Sequence, residues 1–150
     1  MSAYRTVVVG TDGSDSSLRA VDRAAAIAGD AGARLVIACA YYPATDREVQ
    51  RASEVLREEA YQVVGSAPAE DTLQTAHDRA VAAGAHDIVK VPVTGAPVEA
   101  LLTLVDEHAA DLLVVGNRGL NTLTGRLLGS VPSDTARKAT CDVLIVHTVR

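Results

Sequence analysis

From residue 116 to residue 130 the chain reads glycine, two residues, glycine, nine residues, glycine, serine, with Gly116, Gly119, Gly129 and Ser130 carrying the pattern. Glycine lets a backbone approach an anion closely and accept the positive φ that a side chain resists. Gly129-Ser130 stands immediately before a segment of helical composition. There, unpaired N–H groups and the positive end of the helix dipole favour phosphate, and the Ser130 hydroxyl adds a donor. An isolated pair of these glycines would read as turns. The complete spacing, placed after an apolar strand and before a helix, reads as a phosphate-binding loop.

Other chemistries find less support. His77, His86, His108 and His147 are scattered, with none at the i, i+4 spacing of a helical metal pair. A Walker A segment is absent because neither Gly10–Ser17 nor Gly125–Ser130 ends in Gly-Lys-Ser/Thr, and the G-x-G-x-x-G fingerprint is absent too. Cys39 and Cys141 sit in or beside apolar segments and read as reduced, buried thiols of a reducing compartment. Asp12 and Asp15 are candidates for holding Mg²⁺ at a bound phosphate, although Asp15 suits a helix cap better.

The elements that must position this loop follow from patterning. Short apolar runs at Thr6–Val9, Leu35–Ala40, Ile88–Val93, Leu112–Val115 and Val143–Val146 alternate with helical segments, which predicts parallel strands buried on both faces. A first helix starts at Ser14 or Asp15 and runs towards Gly29 and Gly32. The polar stretch from Asp46 to Gly84 reads as two helices broken at Ser66-Ala67-Pro68; further helices fit Ala96–His108 and Val131–Lys138. The expected architecture is a single doubly wound α/β domain over residues 1–150, with a five-stranded parallel sheet and helices on both faces. Ligands of such sheets bind beyond the carboxyl ends of the strands. Gly10–Gly13, Ala40–Tyr42 and Gly116–Ser130 should therefore line one cleft.

Composition narrows the partners. The 150 residues are 48% hydrophobic with no Phe or Trp, which suits closely packed small side chains, and the net charge of -5 opposes nucleic acid. A small phosphorylated ligand remains compatible, because local N–H groups outweigh a weak global field. Met1 leads directly into Thr6–Val9 without a basic and apolar signal, and no apolar run approaches the length of a membrane span, so a cytoplasmic protein is expected.

The chain closely resembles the nucleotide-binding branch of the universal stress protein family, which carries a G-x2-G-x9-G-(S/T) loop. The likeness runs through Val7-Val8-Val9-Gly10-Thr11-Asp12-Gly13-Ser14, Asp111-Leu112-Leu113-Val114-Val115-Gly116, Gly129-Ser130-Val131 and Cys141-Asp142-Val143-Leu144-Ile145-Val146. It implies strand order 3-2-1-4-5, a Rossmann-like fold, and ATP or cyclic AMP as ligand. It places Thr11 and Asp12 by adenine and ribose, with Asp12 accepting from a ribose hydroxyl, and puts Ala40 at the edge of the base. Gly116, Gly119, Gly129, Ser130 and the Val131 amide would hold ribose and phosphates. Against these roles stand ordinary turn use for Thr11 and helix capping for Asp12. Arg118 and Arg126 are phosphate-pairing candidates whose alternative is a solvated loop position.

Two positions depart from the family pattern. Pro132 stands where relatives often carry a hydroxyl or free N–H, which would move one phosphate contact to Ser133, and Asp142 replaces a common proline. The apolar run Val143–Val149 ends the chain at a sheet edge in the expected order. Bare edges pair readily, so a symmetric homodimer is expected there, as the resemblance also implies.

The leading reading is therefore a stress or signalling protein that acts through occupancy by an adenine nucleotide. No general base is evident beside the loop, which leaves at most slow ATP hydrolysis. An adenylate-transferring enzyme of the wider superfamily and a ligand-free interaction module are the competing readings.

Overall fold

In a computed structural model of the chain, residues 2–43, 65–117 and 130–148 are described. The strands are β1 (Thr6–Gly10), β2 (Arg34–Tyr41), β3 (Asp87–Thr94), β4 (Leu112–Gly116) and β5 (Asp142–Val146). The described helices are α1 (Asp15–Ala31), α2 (Ser66–Ala82), α3 (Pro97–Glu107) and α4 (Ser130–Lys138). All strand pairs are parallel, as the patterning predicts, and the order is β3-β2-β1-β4-β5, as the family resemblance implies.

The alternation of side chains along a strand divides the core in two. Val7, Val9, Leu35, Ile37, Leu112 and Val114 face α1 and α2, while Val8, Val36, Leu113 and Val115 face Leu101, Leu104 and Val105 of α3. Both faces of the central strands are therefore apolar, and β1 reads as an unbroken run of valines. The edge strands differ. From Lys90 to Thr94, β3 alternates between exposed and half-buried residues, the two faces of the strand differing in cover, and among the described strands it pairs with β2 alone.

Helix boundaries depart from the expectation at two places. Gly29 does not end α1, which continues to Ala31 and closes on Gly32 at φ 64°, with the Gly32 N–H donating to Ala28 and Gly29 carbonyls. Gly29 serves close approach instead, since a Cβ there would collide with the Gly84 carbonyl. Ser66-Ala67-Pro68 forms the first turn of α2, where proline is tolerated, and Gly65 at φ 95° immediately precedes that helix. The helix expected ahead of it lies outside the described residues.

Ala24, Ala25 and Ala28 of α1 and Ala69, Ala76 and Ala80 of α2 are buried, so small side chains take the place of aromatics in the core. Arg79 of α2 donates to both carboxylate oxygens of Asp22 on α1 and fixes the pairing of the two helices. β5 ends where the run Val143–Val146 predicts and does not extend along the longer apolar run towards Val149. The ladder stops at Val146, and Thr148 turns inward to become buried. No described helix is long and apolar enough to cross a membrane.

Candidate functional site

Parallel strands bring the ends of β1, β2 and β4 to one side of the sheet. Gly10 pairs with Ala38 across β1 and β2, and Gly116 lies at the end of β4, itself paired with β1. The chain leaves β1 through Thr11-Asp12-Gly13-Ser14 and enters α1. Side-chain oxygens build this turn. The Asp12 carboxylate accepts from the Ser14 N–H at 2.9 Å, Thr11 Oγ1 accepts from the Gly13 N–H at 3.1 Å, and Gly13 takes φ 86°. Ser14, rather than Asp12 or Asp15, is the cap: its hydroxyl accepts from the Ser17 N–H at 3.2 Å.

The expected site residues divide accordingly. Thr11 is buried, its hydroxyl lies 2.8 Å from Ser17 Oγ and its N–H donates to the Ala38 carbonyl at 2.9 Å. Its hydroxyl is thus engaged in the turn and its N–H in the contact with β2. Asp12 is half-buried; Oδ1 serves the turn, and its N–H donates to Ser17 Oγ at 3.3 Å. Ala40 lies near the end of β2 and is half-buried. Arg118, Gly119, Arg126 and Gly129 lie outside the described residues. Ser130 is the first residue of α4, and Val131 is half-buried and packs on the α3-side core. Pro132 is fully buried, so its ring packs inside the fold.

The surroundings set the electrostatics of this end. Burial pushes the Cys39 thiol up to about 12, and the Asp12 carboxylate adds to the rise. Among the described residues, no three His, Cys, Asp or Glu side chains gather as a metal site. Asp15, one of the two candidate Mg²⁺ ligands, is exposed in the first turn of α1.

Several residues at this end escaped the sequence reading. Ser17 ties Thr11 to the Asp12 backbone. Asn117, at the second position of the glycine pattern, accepts through Oδ1 from both the N–H and the hydroxyl of Thr148, each at 2.9 Å. An amide at that loop position was a visible signal for Asn117. Thr148 had none, since only the fold brings it there.

A sequence profile of the Universal stress protein family matches residues 3–147. A universal stress protein of Mycobacterium tuberculosis is 60% identical over 148 residues, covering 99% of each chain. A crystal structure of a universal stress protein in complex with cAMP shares 55% sequence identity, with a TM-score of 0.77, over 99% of this chain and 100% of that one. The universal stress protein of Archaeoglobus fulgidus in complex with dAMP shares 21% identity at a TM-score of 0.67, covering 95% and 97%. At that identity the likeness concerns the fold.

Proposed function

The chain belongs to the universal stress protein family, and we propose that it binds an adenine nucleotide, cyclic AMP foremost, at the carboxyl ends of β1, β2 and β4. The observation that carries this is the cAMP complex of a relative 55% identical over essentially the whole chain. Two features of this chain support it. The Gly116-x2-Gly119-x9-Gly129-Ser130 spacing leads into α4, whose N-terminal N–H groups favour a phosphate. Pro132 supplies no N–H in the first turn of that helix, which suits a ligand with one phosphate better than the chain of three in ATP.

In this reading Asp12 accepts from a ribose hydroxyl through the oxygen the turn leaves free, Thr11 shapes the turn, and Ala40 edges the base. Gly116, Gly119, Gly129, Ser130 and the Val131 amide surround ribose and phosphate, with Arg118 as a candidate phosphate partner. Binding, not turnover, is the activity. A homodimer through β5, which pairs with β4 alone among the described strands, completes the reading.

The test is calorimetric titration with cyclic AMP and with ATP, on wild type and on Asp12→Asn. Asparagine keeps an oxygen for the Ser14 N–H and removes the charge, so the turn survives. The expected result is cyclic AMP binding that weakens roughly tenfold in the variant, the scale of a charge-assisted hydrogen bond. Tighter binding of ATP would move the assignment to ATP. Absence of heat from either ligand would refute nucleotide binding.

A further inference from the structure

Thr148 lies beyond the end of β5, yet it is 3% exposed. Its hydroxyl and N–H both donate to Asn117 Oδ1, its hydroxyl lies 2.5 Å from Ser16 Oγ of α1, and its carbonyl accepts from Arg19 Nη1 at 2.6 Å. Asn117 is tied to the same strand end from a second side, because its N–H donates to the Val146 carbonyl at 2.9 Å. Three segments distant in sequence therefore meet at one buried residue: the start of α1, the exit from β4 and the exit from β5.

Gly116 completes the arrangement. A Cβ on Gly116 would meet Thr148 Oγ1 at 3.2 Å, Thr148 Cγ2 at 3.4 Å and Ser16 Oγ at 3.6 Å. The space that glycine leaves vacant is thus occupied by Thr148. The sequence assigns this glycine to phosphate approach, whereas its Cβ position faces the C-terminal residues.

We infer that Thr148, with Ser16, Arg19 and Asn117, is a clasp that positions the entrance to the glycine-spaced loop against the N-terminus of α1. Thr148 is a positioning residue: it holds the Asn117 carboxamide and thereby the direction in which the chain leaves Gly116. Ser16 and Arg19 follow Asp12 by less than two helical turns, so the same contacts set the loop entrance relative to the Asp12 turn. Through β5 they also tie the nucleotide end to the edge strand. The effect on nucleotide affinity rests on the function proposed above; the clasp itself does not.

Thr148→Val removes the hydroxyl while keeping the shape, and Thr148→Ser restores it. Amide hydrogen exchange at Asn117, global stability in urea and cyclic AMP affinity are compared across both variants and Ser16→Ala. The expected result is faster exchange at Asn117 in Thr148→Val than its change in global stability accounts for, with affinity weakened roughly 3- to 10-fold, the range of one or two hydrogen bonds. Thr148→Ser should return both to the wild-type values. Ser16→Ala, which cuts the contact from the other side, should move exchange the same way and serves if Thr148→Val does not fold. Unchanged Asn117 exchange in the folded variants overturns the clasp, as does a serine variant that rescues nothing. A wild type that binds no nucleotide overturns the functional reading alone, and the exchange comparison still decides the clasp.

Discussion

At the amino ends of the strands, polar groups are paired off against one another. The Asp111 carboxylate accepts from the N–H groups of Arg5 and Thr6, the Tyr4 hydroxyl donates to Asp142 at 2.9 Å, and Arg34 meets Asp87 at 3.2 Å. At the carboxyl ends the polar groups instead shape turns: Thr11, Asp12 and Ser14 build the entry to α1, and Asn117 is held by Thr148. One end closes the sheet, while the other fixes backbone geometry and keeps half-buried oxygens such as those of Asp12 near solvent. Stability and binding should therefore separate along the strand axis.

The two cysteines give the largest expected difference. Cys39 lies in β2, buried near Asp12, and Cys141 immediately precedes β5 and is half-buried. Desolvation raises both thiols, with Cys39 reaching about 12. Thiolate is the reactive form, so alkylation of Cys39 in the native protein at pH 8 should run on the order of a thousandfold slower than that of an ordinary thiol. Cys141 should react first, as read by mass spectrometry of labelled peptides. Equal rates would mean that the carboxyl end opens far more than its packing implies. Below the ordinary thiol range Cys39 is neutral in the folded and the unfolded chain alike, so stability there is at its full value with respect to this group. As pH rises from about 9 towards about 12 the unfolded thiol ionises while the buried one stays protonated, so stability falls. Cys39→Ala should accordingly flatten the alkaline limb of the stability profile.

The same contrast explains what the sequence disclosed. Strands β1 and β4 were legible because a central strand buried on both faces must be a continuous apolar run such as Thr6–Val9. Strand order came from the family likeness rather than from patterning. The loop glycines were legible as spacing, yet spacing does not say which way a missing Cβ points, and Gly116 turns its vacancy towards Thr148. Asp12 could be taken as a cap because Asp and Ser serve equally well there; only the contact of Ser14 Oγ with the Ser17 N–H decides between them. Thr148 was illegible because its partners, Ser16 and Asn117, lie 132 and 31 residues away in the chain.

Asp111→Ala tests the amino end directly. Two backbone N–H groups, those of Arg5 and Thr6, would lose their carboxylate at the entry to β1. Hydrogen bonds to a charged acceptor contribute more than neutral ones, so a loss of about 2 kcal/mol in urea unfolding is expected. On the function proposed above, affinity of the remaining folded protein for cyclic AMP should stay at the wild-type value. A large loss of affinity at unchanged stability would break the division between the two ends.

Arg34→Ala should have the smallest effect, although it removes a contact of similar appearance. Its ion pair with Asp87 joins the first residues of β2 and β3, but the two side chains are 53% and 58% exposed. Water already solvates both charges, and ordering the long arginine side chain offsets most of the attraction, so no more than about 0.5 kcal/mol is expected. Salt should screen what remains. Urea unfolding of Arg34→Ala and wild type at low and high ionic strength measures both quantities. A loss comparable to that of Asp111→Ala would mean that the amino end is held by its side-chain ion pair as much as by the carboxylate that satisfies β1 backbone. A small, salt-sensitive loss would locate the strength of that end in the N–H groups Asp111 covers.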